Sequence, residues 1–271
     1  VKNKRVIWIV VIAVSAVVFL YAAANLLHYY YQGKEQKELL SELAALRQKA
    51  VEEESGKDDR AAQQPSEAEN PREDGVDYSP QQLKALYESM KDINEDYVLW
   101  VSIPGTEIDY PVVYLDNEYY LKHDFYDRRN ARGTVFLDES CDPQGAYLLL
   151  HGHHMKDGSM FAALTAFQDK SFRKEHPEAV ILQEGTKRQY RFFAGAKVDL
   201  TDEKSFLYEK LPADQKQLEA YVDDLSLRCF WYEKPELEAN AGLLVLSTCD
   251  YGTEDQRLVL FALEKTAAEE K

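Results

Sequence analysis

Cys249 closes the apolar run GLLVLSTC, and a polar stretch separates it from a second run, RLVLFAL, that begins at Arg257. If the two runs pair through that stretch, a thiol and a guanidinium face each other at the loop-proximal ends of strands ~5 Å apart. A fixed positive charge there favours thiolate and can hold a developing oxyanion. A cysteine taken at random is more often a packing residue and an arginine a surface one. Here the strand-end position, the polar sequel and a nearby group of histidines weigh against that. The histidines lie in AYLLLHGHHMKDGSMF, where His151, His153 and His154 surround the break of an apolar strand at Gly152. An imidazole beside a nucleophilic thiol exchanges protons with the thiol and with a leaving amine, and a histidine at one strand end can reach a cysteine at the end of a parallel neighbour. Zinc is the rival use of these histidines. No CxxC, HExxH or second tight His/Cys cluster completes four ligands, so neither a metal nor a cofactor is expected. His123 and His176 read as surface or packing residues, Cys229 as core, and Cys141 as a loop residue open to exposure. GxSxG, a phosphate loop and GxGxxG are absent, and no spacing singles out a carboxylate pair.

The elements that must hold these groups are short strands. Eight strand-like runs, YVLWVSI, IDYPVVY, GTVFLD, AYLLLH, AVILQ, RQYRFFAGAKVDL, GLLVLST and RLVLFAL, alternate with turn residues. Helical text interrupts them at residues 159–168, 172–176 and 214–227, so the class is mainly β with accessory helices. The folded domain, residues 78–265, opens with a helix: Ser79 is placed to cap it, Pro80 takes the first position, and Leu83, Leu86 and Met90 give an apolar face. Residues 266–271 form a tail.

Ahead of that domain the text changes. Residues 6–24 are apolar except for Ser15, about the length that crosses ~30 Å of hydrocarbon as a helix. Lys2, Lys4 and Arg5 precede this run and Glu35 is the first acidic residue, so the positive-inside rule expects residues 1–5 in the cytoplasm, an anchor over residues 6–27 and the rest outside. A cleaved signal peptide is the alternative, disfavoured by the length of the apolar run. Residues 28–77 read as a short amphipathic helix, with Leu39, Leu40, Leu43 and Leu46 at helical spacing, and then a flexible acidic stalk from residue 55 to 77. The net charge of −16 excludes a protein that holds nucleic acid by neutralising phosphates. Three cysteines are too few for a disulfide scaffold and leave at least one thiol unpaired within the chain.

Taken in order, LWVSIPGTEIDYPVVYLDNEYYLKHDF, GTVFLD, HGHHMKDGSMF and LSTCDY followed by Arg257 resemble the sortases, and class B sortases in particular. These are membrane-anchored cysteine transpeptidases of Gram-positive cell surfaces. The resemblance implies an eight-stranded β-barrel with an N-terminal helix and a long helix between the sixth and seventh strands, for which residues 214–227 are the candidate. It assigns Cys249 as nucleophile, His153 as general acid and base, and Arg257 as the group that holds substrate and oxyanion. Val245 stands where the family usually has Thr. The resemblance places Asn117, Leu121, Ser247, Thr248 and Asp250 along the substrate groove, together with His151 where class B often has Tyr.

The implied reaction cleaves a C-terminal sorting signal, NPQTN-like or (N/S)PxTG-like, after its Thr. The acyl group passes through a thioester on Cys249 to an amine of the cell-wall precursor or of a pilin. A surface cysteine hydrolase using the same three residues, and a membrane-tethered peptide-binding module with an idle thiol, are the alternatives.

Overall fold

Apolar and then charged helix-forming text runs without a glycine or proline break through the N-terminal region as far as residue 32, and it folds as one helix, α1 (Lys2–Asp58). The structure is a computed structural model that describes residues 2–58, 78–201, 208–249 and 256–265, with Cys249 described by its backbone. It divides into two compact units, Val1–Leu43 and Ala44–Lys271. In the first, Ile7, Trp8, Phe19 and Leu20 lie exposed, and the run from Ile7 is long and apolar enough to cross a membrane. Bare apolar side chains on every side of a helix suit hydrocarbon rather than water. The acidic text expected to begin a stalk at residue 55 is still helical through Asp58, and residues 59–77 lie outside the described residues.

The second unit begins earlier than the domain start expected at residue 78. The last turns of α1 account for this. Arg47 donates to Asp109 at 2.6 Å while its guanidinium lies 4.8 Å from the Trp100 ring, and Gln82 donates to the Val51 carbonyl at 3.1 Å. Helix α2 (Pro80–Ile93) starts as its sequence predicts. Ser79 and Gln82 form a reciprocal capping box, Pro80 sits in the first turn, and Leu83, Leu86 and Met90 are buried.

All eight expected strands form: β1 (Tyr97–Ser102), β2 (Asp109–Val113), β3 (Val135–Leu137), β4 (Tyr147–Gly152), β5 (Glu178–Gln183), β6 (Thr186–Asp199), β8 (Leu243–Cys249) and β9 (Gln256–Glu264). The two-residue β7 (Trp231–Tyr232) adds to one edge of β6. The order β5-β1-β2-β3-β4-β8-β9-β6 closes on itself through β5–β6 pairing, giving an eight-stranded barrel. Pairing is antiparallel except at β2–β3 and β4–β8. Closure removes the exposed edges that an open sheet would present. The barrel strands bury Leu99, Trp100, Leu149, Leu244, Leu246 and Leu260 fully, on one face or the other as the strands alternate, each contributing ~1.5–3 kcal/mol against exposure.

Two accessory helices are shorter than their text, and α3 begins two residues before its own. A 3-10 helix covers Phe161–Gln168, α3 covers Lys170–Glu175 under an Asp169 cap, and α4 (Gln215–Leu225) stands capped by Asp214 between β6 and the next barrel strand, β8.

Candidate active site

Cys249 is the last residue of β8, and its register partner across the antiparallel ladder is Arg257, near the start of β9. Directly opposed residues in such a pair share a face, with Cβ atoms ~4.5–5.5 Å apart. On the other side of β8 runs β4, parallel, with His151 level with Ser247 and Gly152 level with Thr248. His153 follows Gly152, so cysteine, histidine and arginine are gathered at one end of the barrel on three adjacent strands. Alternation along β8 puts Ser247 and Cys249 on one face, and His151, in register with Ser247, shares it.

The loop after β4 is held at several points. His153 Nε2 lies 2.8 Å from the Leu121 carbonyl, which can only accept, so Nε2 carries a proton and Nδ1 is left for chemistry. The His153 carbonyl accepts from Phe161 N at 2.9 Å, and His154 pairs with Met160 in an isolated bridge. Gly152 is required by packing, because a Cβ there would lie 2.6 Å from the Phe161 ring. Further along, buried Arg132 donates to Asp157 at 2.7 Å and to Ser159 at 2.8 Å. Burial pushes the Asp157 carboxyl up, but bonds from Ser159 and Arg132 outweigh it and hold the group below its ordinary range.

Leu121 ends a 3-10 turn, Tyr119–Leu121, that packs on Gly133. Gly133 has φ +60, and a Cβ there would sit 2.3 Å from the Tyr120 carbonyl and 3.0 Å from that of Leu121. Gly133→Ala is therefore expected to lower stability by about 2 kcal/mol or more and to shift the carbonyl that holds His153. A fall in melting temperature accompanied by a changed His153 ring-nitrogen NMR shift checks this. A variant with unchanged melting behaviour would mean the turn yields easily.

The residues expected along a substrate groove separate into two sets. Asn117 and His151 meet at Asp138, which accepts from Asn117 Nδ2 and from His151 Nε2, both at 2.9 Å, while His151 stacks on Phe136. Ser247 and Thr248 are each only 1% exposed. Ser247 donates to Tyr208 Oη at 2.9 Å, and Thr248 Oγ1 has no hydrogen-bond partner among the described residues. In this structure these two, expected along a substrate groove, are therefore enclosed. Asp250 lies outside the described residues.

The other two cysteines differ from their expected settings. Cys141, expected to be open to exposure, is buried, and Cys229, expected in the core, is half-buried. Loop residues around Cys141 fold back under β4, whereas Cys229 follows the end of α4. Neither is in a disulfide, and burial pushes their thiols up to about 11 and about 12 respectively, so both are protonated at neutral pH.

Asp138, Arg132 and Tyr208 escape notice in the sequence. Asp138 has a signal, a carboxylate that directly closes the apolar run GTVFL; Arg132 and Tyr208 have none.

The fold and these strand ends define a closed-barrel cysteine protein with its thiol position flanked by arginine and histidine positions. A family profile described as the sortase domain matches residues 101–265, and the chain belongs to that family. Among curated relatives it is 30% identical over 167 residues to sortase B of Listeria monocytogenes, an alignment covering 59% of this chain and 65% of that one. It is 25% identical over 185 residues to sortase B of Staphylococcus aureus, covering 66% and 75%. The chain thus spans about two thirds of the length of the Listeria relative. Among solved structures, Clostridium perfringens sortase B superposes with TM-score 0.60 at 26% identity, covering 66% of this chain and 99% of that one. The Staphylococcus aureus sortase B–substrate complex shares the fold with TM-score 0.66 at 22% identity, covering 87% and 100%.

Proposed function

We propose that this chain is a class B sortase-type cysteine transpeptidase, anchored by α1 with its barrel outside the cell. The observation that carries the reading is the meeting of Cys249, Arg257 and the Gly152–His153 step on three adjacent strand ends of a barrel. Cys249 as thiolate attacks the carbonyl carbon of Thr in a sorting signal, NPQTN-like or (N/S)PxTG-like. The resulting oxyanion is held by Arg257 and a backbone amide next to Cys249. His153, protonated on both nitrogens, gives its Nδ1 proton to the departing amine as the C–N bond breaks, while Nε2–H stays on the Leu121 carbonyl. This leaves a thioester on Cys249 and a neutral imidazole.

An amine of the cell-wall precursor or of a pilin then attacks the thioester. His153 takes its proton at Nδ1, an amide forms and the thiolate leaves. Neither of the remaining cysteines is thiolate at neutral pH, which supports Cys249 as the nucleophile. The basic N-terminus before the apolar run supports an inside N-terminus.

Intact-mass spectrometry of the full chain in detergent, incubated with both types of sorting peptide with and without diglycine, tests the proposal. The expected result is an acyl adduct on Cys249 that diglycine converts into ligated peptide. An adduct released only to water would favour a cysteine hydrolase. Peptide binding with no adduct from any signal would favour a binding module and remove the transpeptidase.

A further inference from the structure

Asp138 follows β3 and sits level with Leu149 of β4, to whose carbonyl its backbone N–H donates at 2.9 Å. Only 6% of the residue is exposed, yet its carboxylate is saturated. Oδ1 accepts from the Ser140 backbone N–H at 2.9 Å and from Ser140 Oγ at 2.5 Å, and Oδ2 accepts from Asn117 Nδ2 and His151 Nε2, both at 2.9 Å. The Asn117 oxygen accepts from Glu139 N at 2.9 Å, so both ends of that amide are fixed and cannot exchange. One Asn117 N–H then remains uncommitted among the described residues. His151, with its proton on Nε2, keeps a lone pair on Nδ1.

We infer that Asp138 is the positioning residue for peptide recognition, and that the two side chains it orients, Asn117 and His151, together read one amide group of the bound peptide. The donor and the acceptor belong to side chains whose nitrogens bond one carboxylate oxygen, which places those nitrogens within ~6 Å of each other. A peptide or carboxamide group offers the matching pair, a carbonyl oxygen and an N–H. His151 shares a sheet face with Cys249, so the group read lies on the side of the barrel wall where the thiol is expected to react. Asparagine at residue 138 could not replace the carboxylate. Its oxygen alone accepts, and its NH2 would oppose the donors of Ser140 or those of Asn117 and His151. The identity of the ligand as a peptide rests on the transpeptidase reading; the orienting role of Asp138 rests on the geometry.

The test measures binding of a sorting peptide to the full chain in detergent, in a Cys249→Ala background that holds peptide without turnover. Asp138→Asn is expected to weaken binding about tenfold or more. In a chain already carrying Asn117→Ala and His151→Ala, it should add less than about twofold, because the residue acts through those two side chains. Binding unaffected by Asp138→Asn, or the same loss in both backgrounds, overturns the inference. If Asp138→Asn loses its cooperative thermal transition, Asn117→Ala and His151→Ala carry the test: coupled losses support a shared carboxylate and independent losses overturn it. Coupled binding losses in a chain whose Cys249 forms no acyl adduct would remove the transpeptidase and leave the inference standing. Normal acyl transfer with no effect of Asp138 would do the reverse, and failure of every sorting peptide to bind would overturn both.

Discussion

Cys249→Ala is expected to abolish the acyl adduct and to reduce transfer by at least about 10⁴-fold, while the chain still unfolds within about 1 kcal/mol of the parent. The activity loss follows from covalent chemistry: without sulfur there is no thioester and no path that divides amide cleavage from amine attack. The small stability change follows from position, since the residue is the last of β8 and its backbone pairing with Arg257 survives substitution. Replacing Cys141 and Cys229 together with serine is the control. Both are protonated thiols, so transfer should continue even if stability falls. Intact mass and thermal unfolding of the three chains decide the matter. Residual adduct in Cys249→Ala would place the nucleophile elsewhere.

His153→Ala is expected to slow acylation by an amide-linked signal by about 10²- to 10⁴-fold. The reason is specific to the leaving group. An amine departs only as it gains a proton, and Nδ1 is the ring atom that the Leu121 carbonyl leaves available. A thioester donor of the same acyl sequence needs no such proton, so the variant should acylate from it at a rate within about tenfold of the parent. His154→Ala, which alters the neighbour bridged to Met160, should leave the amide-to-thioester ratio unchanged. Equal loss with both donors would assign His153 a structural role and take it out of the proton path.

Strand text was legible because each run is apolar, short and bounded by turn residues, and all eight runs became strands. The pairing of Cys249 with Arg257 was legible for the same reason: a short connection between adjacent runs admits little besides a hairpin. β7 was not, being two residues long and defined only by its place beside Ala194 and Gly195. Closure through β5–β6 and the parallel β4–β8 pairing depend on which faces meet, and no local pattern encodes that. The continuation of α1 past residue 54 runs through Ser55, Gly56, Lys57 and Asp58, where the low helix propensity of Ser, Gly and Asp makes local text end the helix too early.

The meeting of Cys249, Arg257 and the Gly152–His153 step at neighbouring strand ends was legible in the sequence, and what supports it was opaque. Cys249, His153 and Arg257 carry unusual chemistry for their positions. Leu121 acts through a carbonyl, Gly133 through the absence of a side chain and Asp138 through contacts made across loops, so side-chain identity alone says little about them. Ser247 was read as groove lining, whereas its hydroxyl is committed to buried Tyr208.

The parallel register of β4 with β8 also governs when the chain becomes reactive. His153 and Cys249 are separated by about a hundred residues, and the loop that joins them includes β5, β6 and α4. Closing so long a loop is costly in entropy before native contacts compensate, so this pairing forms late in folding and slowly relative to the β8–β9 hairpin. In a partly folded chain the β8–β9 hairpin can therefore set Cys249 beside Arg257 while His153 is still far away, and the three positions come together only when β4 pairs with β8.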